Sequence, residues 1–342
     1  MNLDQIKNKI NSKEYNFLRN NEHLKNKIIF LTLGGSHAYG TNIETSDLDI
    51  RGCALNSKSD LIGMSSFEQV VNTATDTTIY SFNKLISLIL NCNPNTIEML
   101  GCKPEHYFHI TPIGQELIDN KKMFLTKKAV HSFGGYANAQ LRKLQNALAR
   151  DSYDLSEKEK HILNSIKFAM ADFREKYEKF EDENVELFID KSNKEELEDE
   201  IFMNINLKHY PLRDYKSMWS EMNNIVKEYA KLNHRNKKKD DLHLNKHICH
   251  LCRLYLMCFD ILEKEEIITY RENDKDFLKD VRNGYFINNN GEVRSEFYDL
   301  LNEYETRLTY AKNNTNLPES PDFNKIQEFV MSVNEKVVNN NI

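Results

Sequence analysis

Residues 27–33 (KIIFLTL) form a continuous apolar run that stops at Gly34-Gly35. A run this short, closed by a glycine turn, reads as a buried strand. Residues 48–55 (LDIRGCAL) alternate as a second strand. Residues 68–80 (EQVVNTATDTTIY), rich in Val, Thr, Ile and Tyr, read as a third with room for a turn inside it. At residue 81 the spacing turns helical, with Ser81 as N-cap of 81–91 (SFNKLISLILN). Residues 2–24 read as a polar helix. Beyond about residue 105 strand signals nearly vanish. Apolar residues then recur at three- and four-residue intervals over 111–120, 125–150, 156–182, 213–233, 242–263, 292–312 and 320–337. Segments 183–210 and 233–241 read as linkers, and no internal repeat is evident. The fold class expected is α+β: a small α/β domain (1–110) followed by a larger all-helical domain (111–342).

Composition agrees. Of 342 residues 40% are hydrophobic, enough to build a core, so wholesale disorder is excluded. Only 11 Gly and 6 Pro interrupt the chain, which favours long helices. No apolar run is long enough to cross a membrane as a helix. Met1–Asn26 is polar, without the apolar stretch of a secretory signal, so a cytoplasmic location is expected. The six cysteines are then expected as reduced thiols. The net charge of −6 means that nucleic-acid binding cannot be read from overall charge.

The chemistry concentrates in residues 34–52 (GGSHAYGTNIETSDLDIRG). Gly35 has no Cβ and lets the backbone approach a phosphate. Ser36 offers a hydroxyl and an N–H at a helix start, where anions are favoured. Ten residues separate Ser36 from Asp47, and Asp49 follows with one residue between. On a strand both would face one side, with Leu48 and Ile50 turned to the core. Two adjacent carboxylates repel unless a cation neutralises them, and hard oxygen donors beside phosphates suit Mg²⁺. Arg51 shares their face, either as a cation for the site or as an ion pair relieving the acidic cluster.

A strand, then Gly35-Ser36, a spacer, and Asp47 and Asp49 flanking one apolar residue resemble the DNA polymerase β nucleotidyltransferase superfamily. The closer resemblance is to its RNA-repair-pathway (RlaP-like) branch. It is carried by Tyr39-Gly40, Ser46-Asp47, Arg51-Gly52, Asp76 before Tyr80-Ser81, and Asn93-Pro94-Asn95 with Glu98 and Leu100. Weaker matches are FGGYANAQ (133–140), His250 with Arg253, and Arg282-Asn283-Gly284. The superfamily expects a third carboxylate on a later strand. Asp60 and Glu68 are rivals, one in a polar turn and one at a strand start. Asp76 precedes an alternating strand and matches the branch pattern.

The resemblance implies Mg²⁺- or Mn²⁺-dependent transfer of a nucleotide from an NTP to a hydroxyl, releasing pyrophosphate. Asp47, Asp49 and Asp76 would be the catalytic residues and the ligands of two metal ions. Gly35, Ser36, His37, Arg51 and Arg253 would bind the nucleotide, His37 equally being a turn cap and Arg253 an ordinary interdomain contact. The acceptor it implies is RNA. A protein or small-molecule acceptor is the first alternative, and an inactive nucleotide- or RNA-binding module the second. His243, His247, Cys249, His250 and Cys252 have spacings compatible with zinc, but buried thiols and polar-face histidines are favoured. The basic run 234–239 and Lys127, Lys128, Arg142 and Lys143 are candidate RNA contacts, with solvated charge as the simpler account. Tyr136 is a candidate for base stacking, with core packing the simpler account.

Overall fold

A computed structural model describes residues 1–137, 141, 185–191, 199–209, 211–212, 215, 219, 222–223, 241–288 and 293–341. The chain divides into two compact units: Met1–Leu141 with Asn245–Ile342, and Arg142–Leu244. The architecture is α+β, with a five-stranded sheet in the N-terminal region and helices dominating the C-terminal region.

The sheet order is β3-β4-β2-β1-β5. The apolar run forms β1 (Ile28–Leu33) near the middle, with Ile29, Phe30 and Leu33 buried. It pairs antiparallel with β2 (Ile50–Ala54) and with β5 (Tyr107–Ile110). The region 68–80 is a hairpin: β3 (Gln69–Asn72) and β4 (Thr77–Ser81) are antiparallel. β4 then runs parallel to β2, with Ile50 opposite Thr77. Ser81 ends β4 and caps the helix Phe82–Ile89, accepting from the Lys84 N–H. Phe82, Leu85, Ile86 and Ile89 of that helix are buried, as its spacing predicts.

Several elements differ from the pattern. Residues 2–24 break into the helix Leu3–Ile10, a 3₁₀ turn Lys13–Tyr15 and a helical turn Phe17–Asn20. They bury Ile6, Ile10, Tyr15 and Leu18 in the core, so the segment is not merely a polar helix. β5 lies beyond the point where strand signals fade; it is four residues long, between Pro104 and Pro112, and gives little pattern to read. Within 183–210 there is a hairpin instead of a linker: β6 (Val185–Lys191) pairs antiparallel with β7 (Asp199–Ile205). The short helix Lys275–Arg282 is an addition.

The long helix Asp241–Lys264 is apolar on most sides where it is described: Ile248, Leu251, Leu254, Phe259 and Ile261 are all buried. Such a helix belongs to an interior. Tyr304 of the helix Ser295–Asn314 packs on Tyr255 and Phe259, with ring centroids 5.5 Å from each. The last helix, Phe323–Val338, returns to the helix that follows β4, where Phe329 meets Phe82 edge-on at 6.0 Å. The expected helix over 125–150 is described as helical at 128–137. The expected helix 156–182, most of 213–233, the basic run 234–239, and Arg142 and Lys143 lie outside the described residues. Among those described, no helix is long and apolar enough to cross a membrane.

Candidate active site

β1 runs straight into the short helix Gly35–Tyr39, with Gly34 at its N-cap. Gly34 donates its N–H to the Asp49 carbonyl at 2.9 Å, so the β1–β2 pairing extends one step past the strand ends. This brings Asp49 against Gly35. A Cβ on Gly35 would lie 1.9 Å from Asp49 Oδ2, and Gly35 has φ +56°. Only glycine meets both demands.

The alternation read around residue 48 holds. Leu48 and Ile50 are buried, while Asp49 and Arg51 face a partly open side and Asp47 is exposed. β2 itself begins at Ile50, so Asp47 and Asp49 precede the strand instead of lying on it. The parallel register sets Asp49 beside Asp76, because Ile50 pairs with Thr77 and donates its N–H to the Asp76 carbonyl at 3.2 Å. Asp76 closes the β3–β4 turn with φ 44°, a left-handed conformation that Asp tolerates better than most residues.

Arg51 joins the two. Its Nη2 lies 3.1 Å from Asp49 Oδ1 and 3.2 Å from Asp76 Oδ1, while Nη1 donates to the Asp76 carbonyl. The Asp49 carboxyl is pushed up to about 7 by burial and by its hydrogen bond with Asp76, with Arg51 pulling the other way. The structure therefore gathers Asp49, Asp76, Arg51 and Gly35 closely. Ser36 is in the first turn of the helix beside them.

The rival carboxylates are engaged elsewhere. Asp60 completes a capping box with Ser57 at the start of the helix Lys58–Ile62. Glu68 pairs with Lys84 at 3.0 Å. Among the described residues no group of three or more His, Cys, Asp or Glu is gathered to hold a metal. The donor chemistry of Asp49 and Asp76 nonetheless fits a hard divalent cation: two hydrogen-bonded carboxylates with positive charge drawn between them. Asp47 lies outside that pair.

Two predicted nucleotide contacts are buried. His37 makes a backbone hydrogen bond with Ser46, and burial holds its imidazole below the usual histidine range. Arg253 lies over the ring of Tyr39, 3.7 Å from its centroid, and its Nη1 reaches Glu98 Oε2 at 3.1 Å.

Lys246 went unread in the sequence. It is an exposed residue of the helix Asp241–Lys264, and its charge reaches Asp49, opposing the upward shift of that carboxyl. It stands seven residues before Arg253, on nearly the same helical face. That periodicity was the one signal available, and it acquires meaning only once Arg253 is known to face the Gly35–Tyr39 helix.

Other candidates resolve plainly. Cys249 donates to the Leu278 carbonyl at 3.4 Å, and burial raises its thiol to about 11. Cys252 is buried and shifted in the same direction. Tyr136 meets the His250 ring edge-on at 5.3 Å. Lys127 is paired with Glu319 at 3.0 Å.

A family model described as "RNA repair pathway DNA polymerase beta family" (RlaP) matches residues 3–332. No curated protein and no solved structure matches the chain.

Proposed function

We propose that this chain, which belongs to the RNA repair pathway DNA polymerase beta family, is a nucleotidyltransferase that moves a nucleotide from an NTP to an RNA hydroxyl and releases pyrophosphate. One observation carries the reading: Asp49 and Asp76 meet at the ends of paired strands, against a Gly35 backbone that leaves no room for a side chain.

Asp49 and Asp76, with Asp47 two residues upstream, would hold Mg²⁺ or Mn²⁺. When bound, the ions would supply charge neutralisation for the triphosphate and a lowered pKa for the acceptor hydroxyl. A second ion would draw on Asp47 as well, which is exposed and outside the Asp49–Asp76 pair. Gly35 would let the phosphates approach the backbone, and the Ser36 N–H and hydroxyl would contact the outgoing pyrophosphate. Arg51 offsets the repulsion between Asp49 and Asp76 before a nucleotide arrives. Lys246 adds a second positive charge from the helical region.

The test is incubation of the purified protein with each α-labelled NTP, Mg²⁺ or Mn²⁺, and total RNA, beside an Asp47→Ala/Asp49→Ala control. Label in RNA from the intact protein alone is the expected result. Label in protein or in small molecules would replace the acceptor. Nucleotide binding by the folded protein with no label anywhere would make it a binding module.

A further inference from the structure

Tyr39, Glu98 and Arg253 stand 59 and 155 residues apart along the chain, in three separate motifs, and meet in one buried cluster. The Tyr39 hydroxyl donates to the Glu98 carboxylate, 2.8 Å from Oε1 and 3.0 Å from Oε2. The Arg253 guanidinium covers the Tyr39 ring and pairs with the same carboxylate. Burial, together with Glu98, holds the Tyr39 phenol well above its usual range, so the hydroxyl remains a donor. Glu98 is itself gripped: its carbonyl accepts from Thr269 Oγ1 and from Cys102 Sγ. The Tyr39 carbonyl accepts from the Arg271 N–H at 3.0 Å. Tyr39 is thus tied at its phenol, its ring face and its backbone.

This cluster is costly. A buried ion pair recovers its desolvation penalty poorly, and Arg253 Nη2 is buried without a hydrogen-bond partner among the described residues. An apolar core would serve stability better. What the cluster does provide is position. Tyr39 ends the five-residue helix that begins at Gly35 and Ser36. So short a helix cannot hold its own orientation.

We infer that Arg253 and Glu98 are positioning residues: through Tyr39 they fix the Gly35–Tyr39 helix, and hence the phosphate cradle, without touching the nucleotide. This rests on the nucleotidyltransferase reading for its consequence, but not for its mechanical content. It reassigns Arg253 from nucleotide contact to clamp.

The test uses Tyr39→Phe, Glu98→Gln, Arg253→Lys and the Tyr39→Phe/Arg253→Lys double variant of the full chain. Tyr39→Phe keeps the ring and the fold and removes only the phenolic donor. Hydrogen exchange of amides 36–41 in the nucleotide-free protein is the first readout. Each single variant should accelerate exchange there, by about tenfold for a lost charge-assisted hydrogen bond. Calorimetry with an unhydrolysable NTP analogue and Mn²⁺ is the second. Affinity should fall by a similar factor in each single variant, and the double variant should be no worse than Arg253→Lys alone. Unchanged exchange and unchanged affinity in Tyr39→Phe, beside a large loss in Arg253→Lys, would make Arg253 a direct contact and overturn the clamp. Lower melting temperatures with unchanged affinity would make the cluster merely structural and overturn it too. Wild-type protein that binds no nucleotide, with exchange still faster in the variants, would overturn the function proposed above and leave the mechanical clamp standing.

Discussion

At the scale of single residues, the site depends on one glycine and one raised carboxyl. Gly35→Ala would drive a methyl group into Asp49 while holding a non-glycine residue at positive φ. The expected cost is about 1–3 kcal/mol of stability, measured by urea unfolding, together with loss of transfer activity in protein that is still folded. Asp49 gives a pH signature. Its folded-state pKa of about 7 lies above that of an unfolded Asp, so the native state binds the extra proton. The stability of the metal-free protein should therefore fall as pH rises from about 4 to 7 on account of this group. Asp49→Asn should remove that slope and stabilise the protein at pH 8 by on the order of 1–2 kcal/mol. Urea titrations at pH 5 and pH 8 measure both effects. Lys246→Ala should leave the fold intact and raise KM for the NTP by about three- to tenfold, as loss of one exposed charge near phosphates would. Steady-state kinetics at low and high salt should show the difference shrinking at high salt.

At the scale of elements, the sheet that builds the site was largely legible. The apolar run, the LDIRGCAL alternation and the Ser81 boundary each left a local pattern, because burial of one face imposes period two and a cap imposes a hydroxyl. Ser81→Ala should cost about 1 kcal/mol through loss of the N-cap, with transfer activity per folded molecule retained; thermal melts and kinetics would show it. Asp76 is preferred to Asp60 and Glu68 because it precedes an alternating stretch and matches the branch pattern, and the parallel pairing of β4 with β2 is what sets it beside Asp49. Four-residue β5 left too little pattern, being framed by prolines and on the sheet edge. The β6–β7 hairpin was legible in principle as a short apolar run, Ile201, Phe202, Met203 and Ile205, which the surrounding charge concealed. The N-terminal segment misled in the other direction. Its charged residues dominate the count, yet Ile6, Ile10, Tyr15 and Leu18 are what pack.

At the scale of the whole molecule, long-range contacts decide what local pattern leaves open. Tyr39, Glu98 and Arg253 could each be picked out along the chain, but nothing local said that they share one buried cluster. The same holds for Lys246, whose relation to Asp49 exists only once the Asp241–Lys264 helix is packed. The C-terminal helices and the sheet belong to one compact unit, so the chain's two ends are tied to the same core. Phe82 with Phe329, and Asn83 with Asn334 at 3.2 Å, make that tie on the sheet side.

The proposed nucleotidyl transfer rests on the carboxylates gathered at the β2 and β4 entrances. Its most direct measurement is single-turnover transfer from α-labelled NTP by Asp76→Asn beside Glu68→Gln, with folding checked by melting. Asp76→Asn keeps the size of the side chain and removes its charge. The expected result is a fall of at least about a thousandfold for Asp76→Asn, as for loss of a group acting on the transition state, and a change within about twofold for Glu68→Gln. Near-wild-type transfer by Asp76→Asn, or an equal loss in Glu68→Gln, would contradict the assignment of this pair as the reacting centre.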